Sequence, residues 1–286
     1  MTDASSSLPE ALVRALRDHA AKTSGSPPAI GVMQARRIAE ECRCTVGDVE
    51  RAALAARILP ERYRRNLGTI GWEGQERLLR SAVAVVGAGG IGGWIIEGLA
   101  RMGVGYLTII DCDRFEENNL NRQLGCTERT LGLPKAEVLA ERVAQVNAAV
   151  APTPRVVRLD AGNAGELLAG AAVVVDALDT LPARMDLQRA AKALGIPMVH
   201  GAIAGYTGQV TTVLPGDAGL TALYGDAVPE RGIETTLGNP AATPMMVAAW
   251  QIHEVIKLLV GAKHILRARL LVMDAEYGEF GEIELG

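Results

Sequence analysis

Val83-Ala84-Val85-Val86-Gly87-Ala88-Gly89-Gly90-Ile91-Gly92 is the stretch that decides the fold. A short β-branched run meets a glycine-rich turn, and apolar residues at helical spacing continue from Trp94 to Met102. Gly87, Gly89, Gly90 and Gly92 permit a tight turn and bring backbone N–H groups close to an anion at a helix N-terminus. A second apolar run, Leu107 to Ile110, ends at Asp111, where a carboxylate can accept hydrogen bonds from ribose hydroxyls. A glycine turn alone is a weak signal. A strand before it, a helix after it and an acid on the next strand end make it a nucleotide site.

Outward from this unit the alternation continues. Lys135 to Asn147 reads as a helix, Arg155 to Leu159 and Val173 to Asp176 as strands, Arg184 to Leu194 as a helix, and Pro197 to His200 as a strand. The pattern predicts an α/β, Rossmann-like, mostly parallel sheet with helices on both faces. Late antiparallel strands extend it: Gly208 to Leu214, Arg267 to Met273 and the alternating Glu276 to Leu285, with a long helix from Pro244 to Leu259. Residues 1–60 form a helical N-terminal extension, and residues 61–286 the main domain. The helices of the extension are expected at Pro9 to Ala21, with Leu12, Leu16 and Ala20 on one stripe, at Val32 to Glu41 and at Val46 to Ala56. Thr45 followed by Asp48 is a helix-start signal. Helix–turn–helix order invites a DNA-binding reading, but the mixed charge of Asp48, Glu50 and Arg51 favours a helical cap packed on the main domain or on a partner chain.

The chain has 286 residues, 49% hydrophobic and 22% charged, with a formal net charge of −4. It lacks an overall basic field for nucleic acid. Cys42, Cys44, Cys112 and Cys126 are the only cysteines. Their spacing fits neither a zinc site nor a disulfide framework, so a reducing, cytoplasmic setting is expected. No apolar stretch is long enough for a membrane span.

The nucleotide is identified by charge. Asn118-Asn119-Leu120-Asn121-Arg122-Gln123 follows Asp111, Lys135 opens a helix, and Asp179 follows the strand that begins at Val173. Hydride transfer needs no guanidinium, ammonium and second carboxylate around the phosphates. Adenylation does: a carboxylate attacks the α-phosphorus, pyrophosphate leaves, and phosphate charge must be stabilised throughout. Arg122 and Lys135 would supply positive charge, and Asp179 would hold a magnesium ion.

The segment from about Arg62 to Leu285 resembles the ThiF/MoeB/HesA family, bacterial relatives of ubiquitin-activating enzymes. The resemblance runs through Arg62-Tyr63-Arg64-Arg65, Gly71 to Leu79, the glycine turn, Asp111-Cys112-Asp113, Asn119 to Gln123, Gly132 to Lys135 and Asp176 to Thr180. Gly208-Gln209 and the helix Gln251 to Leu259 also fit. It implies an ATP-dependent adenylyltransferase acting on the C-terminal glycine of a ubiquitin-like sulfur carrier, in molybdopterin, thiamine or a related pathway. Asp111 would bind ribose; Asn119, Arg122 and Lys135 the triphosphate; Asp179 magnesium; Asp113 and Gln123 would complete the nucleotide site. Arg65 would reach the partner's nucleotide in a homodimer. The carrier's tail would pass beside Gly208 to Leu214, and Asn239 could line its channel.

Two departures from the family pattern follow from cysteine positions. The paired C-x-x-C motifs of many members are absent, so no zinc is expected. The acceptor cysteine before the late helix is also missing, its place falling in Pro229 to Leu237. Chemistry is therefore expected to end at the acyl-adenylate, with sulfur supplied by a separate donor. Cys126 is expected to fill an apolar gap, Cys112 to face the core, His200 to be packed and hydrogen-bonded, and His253 and His264 to lie at the surface. Three other functions compete: adenylation of a carboxylate on a modified tRNA base, a nucleotide-binding module without catalysis, and a nicotinamide-dependent dehydrogenase.

Overall fold

The structure, a computed structural model, describes residues 10–21, 26–225 and 234–285. It opens with α1 (Glu10–His19), β1 (Ala29–Ile30), α2 (Val32–Cys42), α3 (Val46–Ala55) and β2 (Leu59–Pro60). Leu12 and Leu16 of α1 pack against Ile38 of α2 and Val49 of α3 in a small core. Thr45 Oγ1 accepts the Asp48 N–H while Asp48 Oδ2 accepts the Thr45 N–H, a reciprocal cap at the start of α3. Most of α3 is buried, Gly47, Val49, Glu50 and Ala52 to Leu54 included, so it has no free face to lay in a DNA groove. α3 lies close against the rest of the chain, where a Cβ on Gly47 would stand 2.7 Å from the Ala149 carbonyl oxygen.

A 3₁₀ turn (Glu61–Tyr63) leads into α4 (Leu67–Arg80), then β3 (Ala82–Val86), α5 (Gly90–Met102), β4 (Tyr106–Ile110), α6 (Lys135–Val146) and β5 (Ala151–Arg155). There follow α7 (Ala164–Leu167), β6 (Val173–Asp176), α8 (Leu181–Leu194), β7 (Met198–Ala204), β8 (Thr207–Val213) and α9 (Leu220–Tyr224). The chain continues through α10 (Glu234–Leu237), α11 (Ala242–Val260), β9 (Arg269–Asp274) and β10 (Glu279–Glu284). Eight strands form one sheet in the order β10-β9-β8-β7-β6-β3-β4-β5. Strands β5, β4, β3, β6 and β7 are parallel, and β8, β9 and β10 are added antiparallel, as the alternating late segments predicted.

β3 explains why its sequence is apolar without alternation. Val83 and Val85 face a core shared with α5, α6 and α11, whereas Ala84 and Val86 face a second core shared with α7, α8 and α9. Both faces are covered, so both sets of side chains are apolar.

Three details differ from the sequence reading. The strand expected at Arg155 to Leu159 lies earlier, at Ala151–Arg155. β5 is an edge strand paired only with β4. It tolerates Pro152 and Pro154, which share its outward edge, while the Ala151 N–H donates inward to the Gly105 carbonyl. α4 was not anticipated as a helix, because Gly68, Gly71 and Gly74 interrupt it and Gly71 takes φ +68°. Tertiary packing holds it instead: Gln75, Leu78 and Leu79 are buried, and a Cβ on Gly74 would sit 3.4 Å from Val260 of α11. Cys112 is exposed rather than part of the core. β4 has ended at Ile110, so strand alternation no longer governs where residue 112 points. Among the described residues no helix is long and apolar enough to cross a membrane.

Candidate nucleotide and adenylation site

Gly87 ends β3 with φ +98°, and a Cβ there would lie 2.3 Å from the Ala177 carbonyl oxygen. A Cβ on Gly92 would lie 1.9 Å from the Gly87 oxygen. Side chains are therefore excluded at both positions, and the turn is pressed against the loop after β6. α5 begins at Gly90 with no side chain capping it, so its first N–H groups stand ready for an anion.

Asp111, at the end of β4, braces the turn. Its Oδ2 accepts the Ala88 N–H at 2.6 Å, and its Oδ1 accepts the Asp113 N–H at 2.7 Å. Burial pushes its carboxyl above the usual carboxylate range, against the pull of those two N–H groups and of Lys135. Each oxygen retains acceptor capacity for a hydroxyl. Lys135 opens α6, its ammonium nearly buried, and its Nζ lies 3.1 Å from Asp113 Oδ2. Its backbone N–H donates to the Asp113 carbonyl, so residue 113 ties the start of α6 to the end of β4. Desolvation works against the charged form of Asp113, but the Lys135 ammonium outweighs it and holds the carboxyl below its ordinary value.

The segment after Asp113 folds over the start of α5. Arg122 runs its stem 3.6 Å from where a Gly90 Cβ would stand, and its Nη1 donates to the Asn118 carbonyl and to Asn121 Oδ1. Gln123 packs over Gly89, at 3.7 Å on the same measure, and its buried Oε1 has no protein partner. Asn119 is buried, with its Oδ1 accepting the Glu116 N–H at 3.1 Å, so part of its amide caps the local turn. Asp179 is exposed on the loop after β6 and makes no ion pair within the described residues. Its loop is the one that touches Gly87 through Ala177.

The structure thus brings Gly87, Gly89, Gly90, Gly92, Asp111, Asp113, Asn119, Arg122, Gln123 and Lys135 to one end of adjacent strands, with the Asp179 loop abutting them. Arg65 does not join them. Tyr63 packs on Gly103, and Asn66 reaches the Met102 carbonyl through Gln75, both at the far end of α5 from the glycine turn. The thirteen residues of α5 put roughly 18 Å between its two ends.

A network that sequence reasoning largely missed supports the Asp179 loop. Asp176 and His200 are fully buried, and His200 Nδ1 lies 2.6 Å from Asp176 Oδ2. Arg184 of α8 donates to the Gly201 carbonyl at 2.6 Å and to the Leu178 carbonyl, and lies 3.4 Å from Asp176 Oδ2. Asp176 Oδ1 accepts the Leu178 N–H at 3.0 Å. Burial alone would raise the Asp176 carboxyl; the Arg184 guanidinium and the His200 bond bring it below the ordinary value. Burial depresses His200, which is therefore neutral, with Nδ1–H donated to Asp176 and Nε2 facing the Gln209 amide at 3.5 Å. His200 is thus packed and hydrogen-bonded, as expected. Its hint in the sequence was a charged Arg184 inside the apolar stripe of α8.

The remaining residues fall into place simply. Cys126 is buried, its Sγ 3.5 Å from the Glu116 carbonyl, and burial raises its thiol pKa. His253 and His264 are exposed. Of the loop expected in place of the acceptor cysteine, Pro229 to Leu237, residues 229–233 lie outside the described residues. Beside Asn121 a cleft of about 550 Å³ is lined by Gly205, Tyr206, Leu237, Asn239 and Pro240. Asn239 Oδ1 is buried there without a partner, while its carbonyl accepts from Asn121 Nδ2 at 3.1 Å.

The ThiF family matches residues 63–286. The SAMP-activating enzyme E1 of Haloferax volcanii is 41% identical over 220 residues, covering 75% of this chain and 81% of that protein. The sulfur carrier protein adenylyltransferase of Thermus thermophilus is 36% identical over 233 residues, covering 78% and 86% respectively. Among solved structures, E. coli MccB with MccA-N7isoASN superposes with a TM-score of 0.69 at 19% identity, over 79% of this chain and 72% of that one. PaaA does so with a TM-score of 0.67 at 22% identity, over 79% and 73%. The chain belongs to the ThiF family.

Proposed function

We propose that this protein uses ATP and magnesium to adenylate the C-terminal glycine carboxylate of a small ubiquitin-like sulfur carrier. The observation that carries this is the meeting of Arg122, Lys135 and the Asp179 loop at the mouth of the glycine turn. The relatives named for SAMP activation and for sulfur-carrier adenylylation support the same chemistry.

The residues present fit the nucleotide and its metal. Gly87 and Gly92 leave no room for side chains, Gln123 offers an unpartnered buried oxygen, and Asp179 is an exposed carboxylate without an ion pair in the described residues. Asp111 would take the ribose hydroxyls, and Asp113 would keep the Lys135 ammonium aimed. Arg122 and Lys135 would stabilise the charge that develops as a carboxylate oxygen bonds to the α-phosphorus and the bond to the pyrophosphate oxygen breaks. Asp179 would hold magnesium, which would supply positive charge to the phosphates. The tail would lie in the cleft beside Asn121 and Asn239 and along β8. No general base is required, because a C-terminal carboxylate is already ionised near neutral pH.

Arg65 is too far from its own glycine turn, so its part in catalysis would be across a homodimer. Residues 127–286 contain no cysteine, and a sulfur donor would attack the acyl-adenylate directly in a reducing cytoplasmic setting. The test is pyrophosphate exchange with ATP, magnesium and purified carriers ending in Gly-Gly, together with intact-mass analysis of the enzyme. Exchange without a covalent enzyme–carrier adduct is expected. A stable adduct would overturn the donor step, and preferential binding of NAD over ATP would overturn the whole reading.

A further inference from the structure

Three arginines follow β2, and their surroundings differ. Arg62 Nε lies 3.1 Å from Glu50 Oε1, with both side chains largely buried, and its Nη1 donates to Asn147 Oδ1. Arg64 is exposed and forks onto Glu61 at 2.7 Å through both Nε and Nη2. Arg65 is exposed and makes no hydrogen bond or ion pair among the described residues. It is the one guanidinium of the three still available.

The segment beneath Arg65 is clamped on both sides. Tyr63 is fully buried, its hydroxyl accepts from Asn147 Nδ2 at 3.0 Å, and its ring occupies the space a Gly103 side chain would need. Asn66 Nδ2 donates to Gln75 Oε1 at 2.8 Å, and Gln75 Nε2 donates to the Met102 carbonyl at 2.8 Å. The remaining clamp comes from α3, outside the residues 63–286 that match the family. Its Glu50 takes Arg62, its Gly47 comes so close to Ala149 that a Cβ would lie 2.7 Å from that carbonyl, and its Arg51 sits 5.6 Å over the Tyr106 ring. A buried ion pair contributes little net stability after desolvation, so its place here is better accounted for by the geometry it sets than by stability.

We propose that the N-terminal helices are a positioning device for catalysis: Glu50 of α3, through Arg62, sets the segment that presents the exposed Arg65 to the nucleotide bound by a second copy of the chain. This rests on the trans reading of Arg65 above. The consequence is directional. Glu50 serves the partner's site and not its own.

Mixed dimers of full-length chains with two separable tags test the direction, with MgATP as the probe. One chain carries Arg65→Ala and the other Lys135→Ala, so a single complete site remains, built from Lys135 of the first and Arg65 of the second. This pair should bind MgATP far better than either variant homodimer. Adding Glu50→Gln to the Lys135→Ala chain, which donates Arg65, should weaken that site about tenfold, a partial loss of one charge-assisted contact. Adding it instead to the Arg65→Ala chain should leave the affinity as in the parent pair. A double replacement, Glu50→Leu with Arg62→Met, keeps apolar volume without an unpaired buried charge and should show the same asymmetry. Equal losses in both placements, or no loss in the donating chain, would overturn the positioning role. Failure of the parent pair to exceed the homodimers would overturn the trans reading itself, and the positioning role with it.

Discussion

Replacing Arg184 by methionine removes a guanidinium that holds three acceptors at once: the Asp176 carboxylate and the carbonyls of Leu178 and Gly201. Methionine keeps most of the stem's packing, so the loss is electrostatic. Asp176 has no exposure to water, and would retain only His200 Nδ1 and the Leu178 N–H as partners. Breaking a buried pair on one side costs about 3–5 kcal/mol. For a chain of this length each kcal/mol lowers Tm by roughly 2–4 °C, so a fall on the order of 10 °C is expected in a thermal scan. The damage should be local as well as global. The Leu178 carbonyl anchors the loop that carries Asp179, so MgATP affinity measured calorimetrically well below the new Tm should also fall. Removing the stranded charge as well, in Asp176→Asn with Arg184→Met, should recover part of the stability. A single Arg184→Met variant that melts within about 2 °C of the wild type would refute the reasoning, because a carboxylate with no access to water cannot lose its main counter-charge at so small a cost.

Two further perturbations probe neighbouring parts of the same site. Gly87→Ala forces a Cβ to within 2.3 Å of the Ala177 oxygen at φ +98°, and should cost about 1–3 kcal/mol while weakening MgATP markedly; Gly216→Ala, where a Cβ meets nothing within 4 Å, is the neutral control, and equal behaviour of the two would refute the tight-turn argument. His200→Gln should flatten the acid limb of stability. Burial depresses His200 in the folded chain, so the unfolded chain takes up its proton first, near the ordinary histidine value of about 6.5, and wild-type stability falls as pH drops through that region; urea unfolding of both proteins between about pH 7 and 5 checks it, and parallel curves would count against a neutral buried imidazole.

The parts of this fold legible in sequence are those whose local pattern and burial agree. β3 is covered on both faces, so Val83 to Val86 reads as an unbroken apolar run, and Gly87 marks its end because no other residue fits there. β6 and α8 are legible for similar reasons. β5 is not: its strand is built from Ala151-Pro152-Thr153-Pro154-Arg155, and the prolines that disqualify a central strand are harmless at an edge whose outer N–H positions have no partner. α4 is hidden because its glycines lower helix propensity, while α11 and α5 supply the packing that forms it. Within the site, Asp111, Arg122 and Lys135 were legible from their order along the chain. The Asp176–Arg184–His200 cluster was only partly so, since a charge on a helix reads as solvated until the fold shows a carboxylate facing it. Cys112 misled for the opposite reason: strand alternation was carried past the point where the strand stops.

The location of the site follows from the topology more than from any one residue. From β3 the chain moves outward in one direction through β4 to β5, then returns to the other side of β3 for β6 and β7. α5, which follows β3, packs on one face of the sheet with α6, whereas α8, which follows β6, packs on the other. The connections leaving β3 and β6 therefore diverge from adjacent strand ends and open a crevice between them, the place where parallel α/β sheets bind ligands. Here the crevice is narrow at its floor, because Gly87 and Ala177 are in contact without room for a Cβ, and it is lined on the β4 side by Asp111, Asp113 and Lys135. Strand order thus delivers both signs of charge to the crevice, cations from the β4 side and Asp179, proposed above as the magnesium ligand, from the β6 side. A carboxylate tail entering along β8, which the sheet places beyond β7 on that same β6 side, would meet the phosphates at the acid's edge rather than from beneath the glycine turn.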